Sequence, residues 1–119
     1  MEIRKIIFDS NFLVDIFRFK IDFEEMFFLA TKKAKLVIPR FVIEELRRIN
    51  SPFSKLALEL IKKKNFKVVE TKEKGDKGFF ELIDKYTVVA TNDSKLRKKL
   101  KKLGVKTIYL RGLSKLEMS

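Results

Sequence analysis

The chain of 119 residues contains no cysteine and no histidine. The missing thiols exclude disulfides, iron–sulfur ligation and cysteine nucleophiles, and the missing imidazoles exclude Ser-His-Asp triads, histidine general bases and histidine-bound metals. Glycine occurs only four times, and its positions allow neither a phosphate-binding P-loop nor a dinucleotide-binding fingerprint. Any catalytic chemistry must therefore be built from carboxylates, amides, hydroxyls and cations.

Acidic residues are far fewer than basic ones. The 28 Lys and Arg residues exceed the 16 Asp and Glu residues, which gives a formal net charge of +12. A surplus of this size on a small protein favours a polyanionic partner, and nucleic acid is the commonest one. Two alternatives remain open: a basic surface that serves only solubility, and the lysine-rich, cysteine-free composition of heat-adapted proteins.

Long apolar runs are absent as well. The longest, residues 26–30, is too short to span a bilayer. The N-terminal segment lacks the extended apolar stretch of a secretory signal. We therefore expect a cytoplasmic protein that does not insert into a membrane, with a length typical of a single domain.

Five short strand-like segments alternate with helical patterns along the chain. The segments are Ile3–Phe8, Lys35–Ile38, Phe66–Val69, Thr87–Ala90 and Lys106–Leu110. Because helical crossovers return each strand in the same direction, this alternation predicts a parallel α/β sheet that is covered on both faces. We assign residues 1–111 to this domain and residues 112–119, whose periodicity is weak, to a C-terminal tail that is mobile or serves as a contact arm.

Helical spacing of apolar residues supports the same organisation. Leu96, Leu100 and Leu103 recur at i, i+4 and i+7, and Gly104 is expected to end their helix. The segment from Phe12 to Phe28 has more apolar residues than two short helices need for one core. This excess predicts a seam between two copies of the chain.

Acidic residues follow two of the predicted strands. Asp9 comes directly after the first strand, and Asp93 lies three residues after the end of the fourth. In an open parallel sheet, ligands bind outside the carboxyl ends of the strands, so both side chains are expected at one crevice. For Asp93, a helix N-cap is an equally open interpretation.

Two further acids lie on or beside apolar helical faces. Asp76 shares its face with Phe79 and Phe80, where an acid is usually a cap, an ion-pair partner or a metal ligand. Successive helical steps place Glu45 about 60° from Val42, beside the apolar stripe, and Glu44 about 160° away. Glu45 is therefore the candidate site residue, although an acid at this position is often simply a surface residue.

Four carboxylates at one rim would repel one another. Two ionised carboxylates about 5 Å apart repel by about 3 kcal/mol at an effective dielectric constant near 20. Protons or a divalent cation must offset this repulsion. With oxygen ligands only, Mg²⁺ or Mn²⁺ is the natural cation, and such a site suits metal-assisted hydrolysis of a phosphodiester.

The order of these motifs resembles that of PIN domains over nearly the whole chain. The motifs are Asp9-Ser10-Asn11, Val42-x-x-Glu45-Leu46, Asp76 at the start of a helix, and Val89-Ala90-Thr91-Asn92-Asp93. The resemblance implies a three-layer α/β/α fold with strand order 3-2-1-4-5. It also implies a nuclease site in which Asp9, Glu45, Asp76 and Asp93 are catalytic, Asp9, Asp76 and Asp93 bind Mg²⁺ or Mn²⁺, and Ser10, Asn11, Thr91 and Asn92 give hydrogen-bonding support.

The chain departs from the PIN pattern at one position. Many PIN domains carry two adjacent acids where this chain has Asp76-Lys77. Glu73 and Asp84 are candidate substitutes for the second acid.

A run of cations follows Asp93 without an intervening acid. It is expected to bind a nucleic-acid backbone through Lys95, Arg97, Lys98, Lys99, Lys101 and Lys102. Together with the resemblance, it predicts an endoribonuclease that acts on single-stranded or structured RNA. Two settings are open: a toxin resembling the VapC proteins with an antitoxin as partner, and an enzyme that processes ribosomal precursors. A catalytically weak or inactive RNA-binding module is the alternative function.

Overall fold

A computed structural model describes residues 2–119, in which strands and helices alternate. The strands are β1 (Lys5–Phe8), β2 (Lys35–Pro39), β3 (Lys67–Val69), β4 (Thr87–Ala90), β5 (Lys106–Arg111) and β6 (Lys115–Met118). The α-helices are α1 (Ser10–Arg18), α2 (Met26–Leu29), α3 (Arg40–Ile49), α4 (Pro52–Lys63), α5 (Gly75–Leu82) and α6 (Ser94–Lys102). A 3-10 turn, Phe23–Glu25, precedes α2.

The sheet has the strand order β3-β2-β1-β4-β5-β6, and its first five strands are parallel. The predicted order 3-2-1-4-5 and the three-layer arrangement are therefore confirmed. β1 lies in the middle and pairs with β4 so that Phe8 lies opposite Ala90. The residues of β1 that follow Lys5 are fully buried, as expected for a strand covered by helices on both faces.

The C-terminal segment adds a sixth strand to the five parallel strands that were predicted. β6 pairs antiparallel with β5, with Ile108 opposite Met118 and Arg111 opposite Lys115. Its sequence is too polar to resemble a strand, and Leu116 is its only buried residue. Residues 115–118, in the segment assigned to the tail, therefore form part of the sheet.

Helices α1, α3 and α4 pack against one another, and α6 packs against β5. Ser51 and Ser54 form a capping box that starts α4 directly after α3. Leu103 was predicted to share the buried apolar face of α6 with Leu96 and Leu100, but it is 58% exposed. The helix ends at Lys102, so Leu103 is the capping residue and turns away from the sheet.

Phenylalanine fills much of the core. The ring of Phe8 lies 4.9 Å from that of Phe66 and 5.8 Å from that of Phe23. The segment predicted to form a seam between copies contributes Phe12 and Phe23 to this core and leaves Phe28 exposed. Association through this segment stays a prediction. Within residues 2–119, no helix is long and apolar enough to cross a membrane.

Candidate carboxylate site and basic helix

The Asp9 carboxylate lies where β1 passes into α1. Its Oδ1 accepts a hydrogen bond from the Ser10 backbone N–H at 2.8 Å, and its Oδ2 accepts one from Thr91 Oγ1 at 2.7 Å. The backbone N–H of Asp9 donates to the carbonyl of Ala90, the last residue of β4. Parallel pairing of β1 and β4 therefore joins the two polar segments that follow these strands.

The segment after β4 is held by a network of side chains. Asn92 Oδ1 accepts a hydrogen bond from the Leu110 N–H at 2.8 Å, and the Asn92 N–H donates to Asn11 Oδ1 at 3.2 Å. Thr91 Oγ1 also accepts from the Asp93 N–H at 3.1 Å. Thr91, Asn92 and Asn11 thus hold together the backbone that carries Asp9 and Asp93.

Asp15 is a supporting residue that the sequence reasoning did not single out. Its Oδ2 accepts a hydrogen bond from Asn92 Nδ2 at 2.9 Å. Asn11 and Asp15 are four residues apart on α1, so both face the segment after β4. That i, i+4 spacing is the signal that could have identified Asp15.

Asp93 is the N-cap of α6. Its Oδ1 accepts hydrogen bonds from the backbone N–H groups of Lys95 at 2.9 Å and Leu96 at 3.3 Å. Asp93 Oδ1 therefore caps the helix, as one of the two interpretations of this residue predicted. No donor in residues 2–119 is bonded to Oδ2, so capping leaves one oxygen of Asp93 available to a ligand.

Glu45 and Glu44 have different surroundings. Glu45 Oε2 accepts a hydrogen bond from Ser10 Oγ at 3.4 Å, which brings α3 to the start of α1. Glu44 Oε2 lies 3.9 Å from the Lys74 ammonium. Of the two acids, Glu45 is the one beside the carboxyl end of β1.

The Asp76 carboxylate, in the first turn of α5, forms an ion pair with α6. Lys99 Nζ donates to Asp76 Oδ2 at 2.7 Å. This pair raises the pKa of the Lys99 ammonium, because the hydrogen bond and the nearby carboxylate charge both stabilise the protonated form. The structure therefore places one cation of the basic run beside one acid of the candidate site.

Burial and neighbouring charges change the pKa of two of the four acids, Asp9 and Glu45. Burial raises the pKa of the Asp9 carboxyl above its ordinary value, and the charges of Asp93 and Asp76 raise it further, against the lowering effect of its two hydrogen bonds. Burial, followed by the charge of Asp9, also raises the pKa of Glu45. Asp9 is thus linked by charge to Asp93 and Asp76, which raise its pKa, and to Glu45, whose pKa it raises.

The ligand atoms that the four acids offer are of the type that a hard divalent cation prefers. The donors are carboxylate oxygens, and their mutual repulsion is what a cation would relieve. As arranged, no three acidic side chains in residues 2–119 are close enough to enclose one ion. An ion shared by Asp9, Asp76 and Asp93 therefore requires these side chains to move closer together.

Of the two residues suggested as substitutes for a second acid beside Asp76, the structure excludes Asp84. Asp84 accepts hydrogen bonds from the Tyr86 N–H and Thr87 Oγ1 at the start of β4, which is the opposite end of that strand from Asp93. Asp84 is therefore excluded as a substitute. Glu73 lies just before α5, and Lys77 is exposed.

The cations of α6 lie mostly on its solvent-facing side. Lys95, Lys98, Lys99, Lys101 and Lys102 are exposed. Arg97 is partly buried, with its guanidinium carbon 3.6 Å from the centroid of the Tyr109 ring. Leu96 and Leu100 form the buried face of the same helix, so this helix combines core packing with a dense basic surface.

Three comparisons with known proteins agree on the family. The family model described as a PIN like domain matches residues 6–113. Ribonuclease VapC9 from Archaeoglobus fulgidus is 30% identical over 118 residues, which cover 92% of this chain and 85% of that protein. The solved structure of the PIN domain endonuclease Utp24 superposes with a TM-score of 0.81 at 25% identity, over 97% of this chain and 90% of that one. The chain belongs to the PIN-like domain family.

Proposed function

We propose that the protein is an endoribonuclease that depends on Mg²⁺ or Mn²⁺ and hydrolyses RNA phosphodiester bonds at the carboxylate site. The observation that carries the proposal is the placement of Asp9, Glu45 and Asp93 beyond the carboxyl ends of β1 and β4, joined by hydrogen bonds of Ser10 and Thr91. The helix with six cations follows Asp93 directly and meets Asp76 through Lys99. The matches to a ribonuclease and to a PIN endonuclease support the same activity.

The proposed roles follow from the surroundings of each acid. Asp9, Asp76 and Asp93 would hold the cation, and Ser10 and Thr91 fix the orientation of the Asp9 carboxylate. When bound, the divalent ion supplies a water of lowered pKa and offsets charge on the phosphate. We assign Glu45 the role of general base, the group that accepts the proton. Its carboxylate is half-buried, and its raised pKa is closer to the range suited to general base catalysis.

The test is cleavage of an end-labelled single-stranded RNA with Mn²⁺ and with EDTA. We expect cleavage by the wild type only with the metal, and a loss of about 100-fold or more for Asp9→Asn and Glu45→Gln. Glu44→Gln is the matched control for Glu45→Gln, because Glu44 is the adjacent acid and contacts Lys74. Cleavage that survives both EDTA and Asp9→Asn would refute the assignment.

One observation favours an RNA-binding module with weak or no catalysis. Asp76 is already paired with Lys99, and a lysine follows it in the sequence. While Asp76 stays bonded to Lys99 and the acids stay apart, they do not enclose an ion, whereas the basic helix can still bind a polyanion. RNA binding in EDTA without cleavage in Mn²⁺ would support this second function.

The biological setting divides into two proposals with different partners. A toxin resembling VapC proteins requires an antitoxin, and its genes should include a small neighbour whose product blocks cleavage. A processing enzyme requires a ribosomal precursor as substrate, and the protein should then be recovered with precursor ribosomal RNA.

A further inference from the structure

A small pocket lies between α6 and β5. Its volume is about 180 Å³, and it is lined by Ser94, Arg97, Lys98, Lys101, Thr107 and Ser119. Three of these side chains are cations, and none of the three forms an ion pair within residues 2–119. The pocket therefore brings together three cations that form no ion pair within residues 2–119.

Arg97 is held in a fixed orientation at this pocket. Its guanidinium carbon lies 3.6 Å from the centroid of the Tyr109 ring, a cation–π contact that restricts the plane of the group. Its Nε is buried and has no hydrogen-bond partner in residues 2–119. A guanidinium has five N–H donors in a planar fork, so the donors beyond the buried Nε are the ones that an acceptor in the pocket would meet.

The neighbouring side chains strengthen the case for an anion. Arg97 and Lys101 are four residues apart on α6, and Lys98 and Lys101 are three apart, so like charges face one another along the helix. Ser94 and Thr107 add hydroxyl groups to the lining. An anion with several acceptor oxygens would relieve the repulsion and accept from both the fork and the hydroxyls.

The pocket is also close to the carboxylate site. Asp93 caps α6, Ser94 is its first residue, and Arg97 follows one turn later. With a rise of 1.5 Å per residue, the backbones of Asp93 and Arg97 are about 6 Å apart along the helix axis. One polynucleotide strand can therefore reach both places.

We propose that this pocket binds a backbone phosphate of the RNA strand that flanks the cleaved bond, with Arg97 as its principal contact. This inference rests on the proposed function for the identity of the ligand. Arginine suits the role, because its planar fork matches the geometry of phosphate oxygens better than an ammonium group does.

The test measures binding of a fluorescently labelled single-stranded RNA in EDTA by anisotropy, over a range of salt concentrations. We expect Arg97→Met to weaken RNA binding about tenfold. The plot of the logarithm of the association constant against the logarithm of the salt concentration should become less steep by about 0.7, which corresponds to the loss of one phosphate contact on a single strand. The Arg97→Lys variant should bind RNA more weakly than the wild type but with the same salt dependence, because lysine keeps the positive charge and lacks the planar set of N–H donors.

Arg4 offers a matched control. Its guanidinium carbon lies 4.0 Å from the centroid of the Tyr86 ring, but its guanidinium group is paired with Glu2. Arg4→Met therefore removes the same charge and the same type of aromatic contact at the amino end of β1, and its affinity and salt slope should match the wild type. Thermal melting of each variant checks that the fold is retained.

The outcomes separate this inference from the proposed function. If Arg97→Met binds as the wild type does, if Arg4→Met loses as much affinity, or if the wild type binds no RNA, the pocket assignment is wrong. Cleavage in Mn²⁺ is measured separately. Loss of binding in Arg97→Met without wild-type cleavage would support the pocket and refute the nuclease.

Discussion

At the scale of single residues, Asp9 combines burial with proximity to other acids. It is 8% exposed, and both of its oxygens accept hydrogen bonds. These two bonds favour the ionised carboxylate, yet burial and the charges of Asp93 and Asp76 outweigh them and raise its pKa. An acid that is harder to ionise in the folded protein than in the unfolded chain makes folding less favourable as the pH rises.

This raised pKa predicts a pH dependence of stability in EDTA. The contribution of Asp9 is fully present below its ordinary pKa of 3.8 and is lost as the pH rises through the higher pKa of the folded state. Asp9→Asn removes the charge and keeps a good N-cap. The melting temperature of Asp9→Asn should therefore exceed that of the wild type at pH 7, and the two should converge below pH 4.

The comparison between the wild type and Asp9→Asn reports the effect of the Asp9 charge, including its effect on the pKa of Glu45. Glu81 and Asp84 have lowered pKa values because backbone N–H groups donate to them, and their contribution is lost as the pH falls, equally in both proteins. Added Mn²⁺ should stabilise the wild type selectively, because a ligand that binds only the folded state raises its stability. A lower melting temperature for Asp9→Asn at pH 7 in EDTA would contradict this view of Asp9.

At the scale of elements, the position of α5 depends on a close approach at Gly78. A Cβ built on Gly78 would lie 2.5 Å from Cε2 of Phe41 and 2.6 Å from the Glu73 carbonyl oxygen. The Phe79 ring also packs against Phe41, with a centroid distance of 5.2 Å. Glycine at this position therefore lets α5, which carries Asp76, pack tightly against α3, which carries Glu45.

Gly78→Ala should destabilise the protein although alanine favours helices. Its helical propensity is better by about 1 kcal/mol, but the overlap with Phe41 and the Glu73 carbonyl must move α5. We expect a net loss of about 1–3 kcal/mol in the free energy of unfolding, measured in urea. Lys77→Ala, at an exposed position of the same helix, should show no comparable loss. Equal stability of Gly78→Ala and the wild type would refute the packing argument.

At the scale of the whole molecule, the resistance to heat suggested by composition stays a prediction. The protein has 37% charged residues and no cysteine. Each of the eight ion pairs described within residues 2–119 has at least one side chain that is more than a third exposed. Exposed pairs contribute little singly, so the phenylalanine-rich core must supply most of any added stability.

Calorimetry tests this prediction directly. We expect a melting temperature above the range of about 45–65 °C that is common for mesophilic domains. A value within that range would contradict heat adaptation and leave nucleic-acid binding as the better explanation of the basic composition.

The sequence by itself determined the sheet order, through the resemblance, and the places where Asp9 and Asp93 enter the site. The resemblance alone implied the sheet order. The places of Asp9 and Asp93 followed from the residues, because strand and helix periodicity is local and the carboxyl ends of parallel strands meet at one edge. The choice of Glu45 over Glu44 as the site-facing acid also followed from local helical geometry.

Only the tertiary structure decided the contacts between distant elements. Four such contacts could not be predicted, because the local sequence of each residue does not indicate its partner. They are the pairing of Lys99 with Asp76, the hydrogen bond from Asn92 to Asp15, the stacking of Arg97 on Tyr109 and the pairing of the sixth strand with β5. A lysine in a basic run has the same local signal whether it faces solvent or an acid, because the partner is set by how helices pack on the sheet.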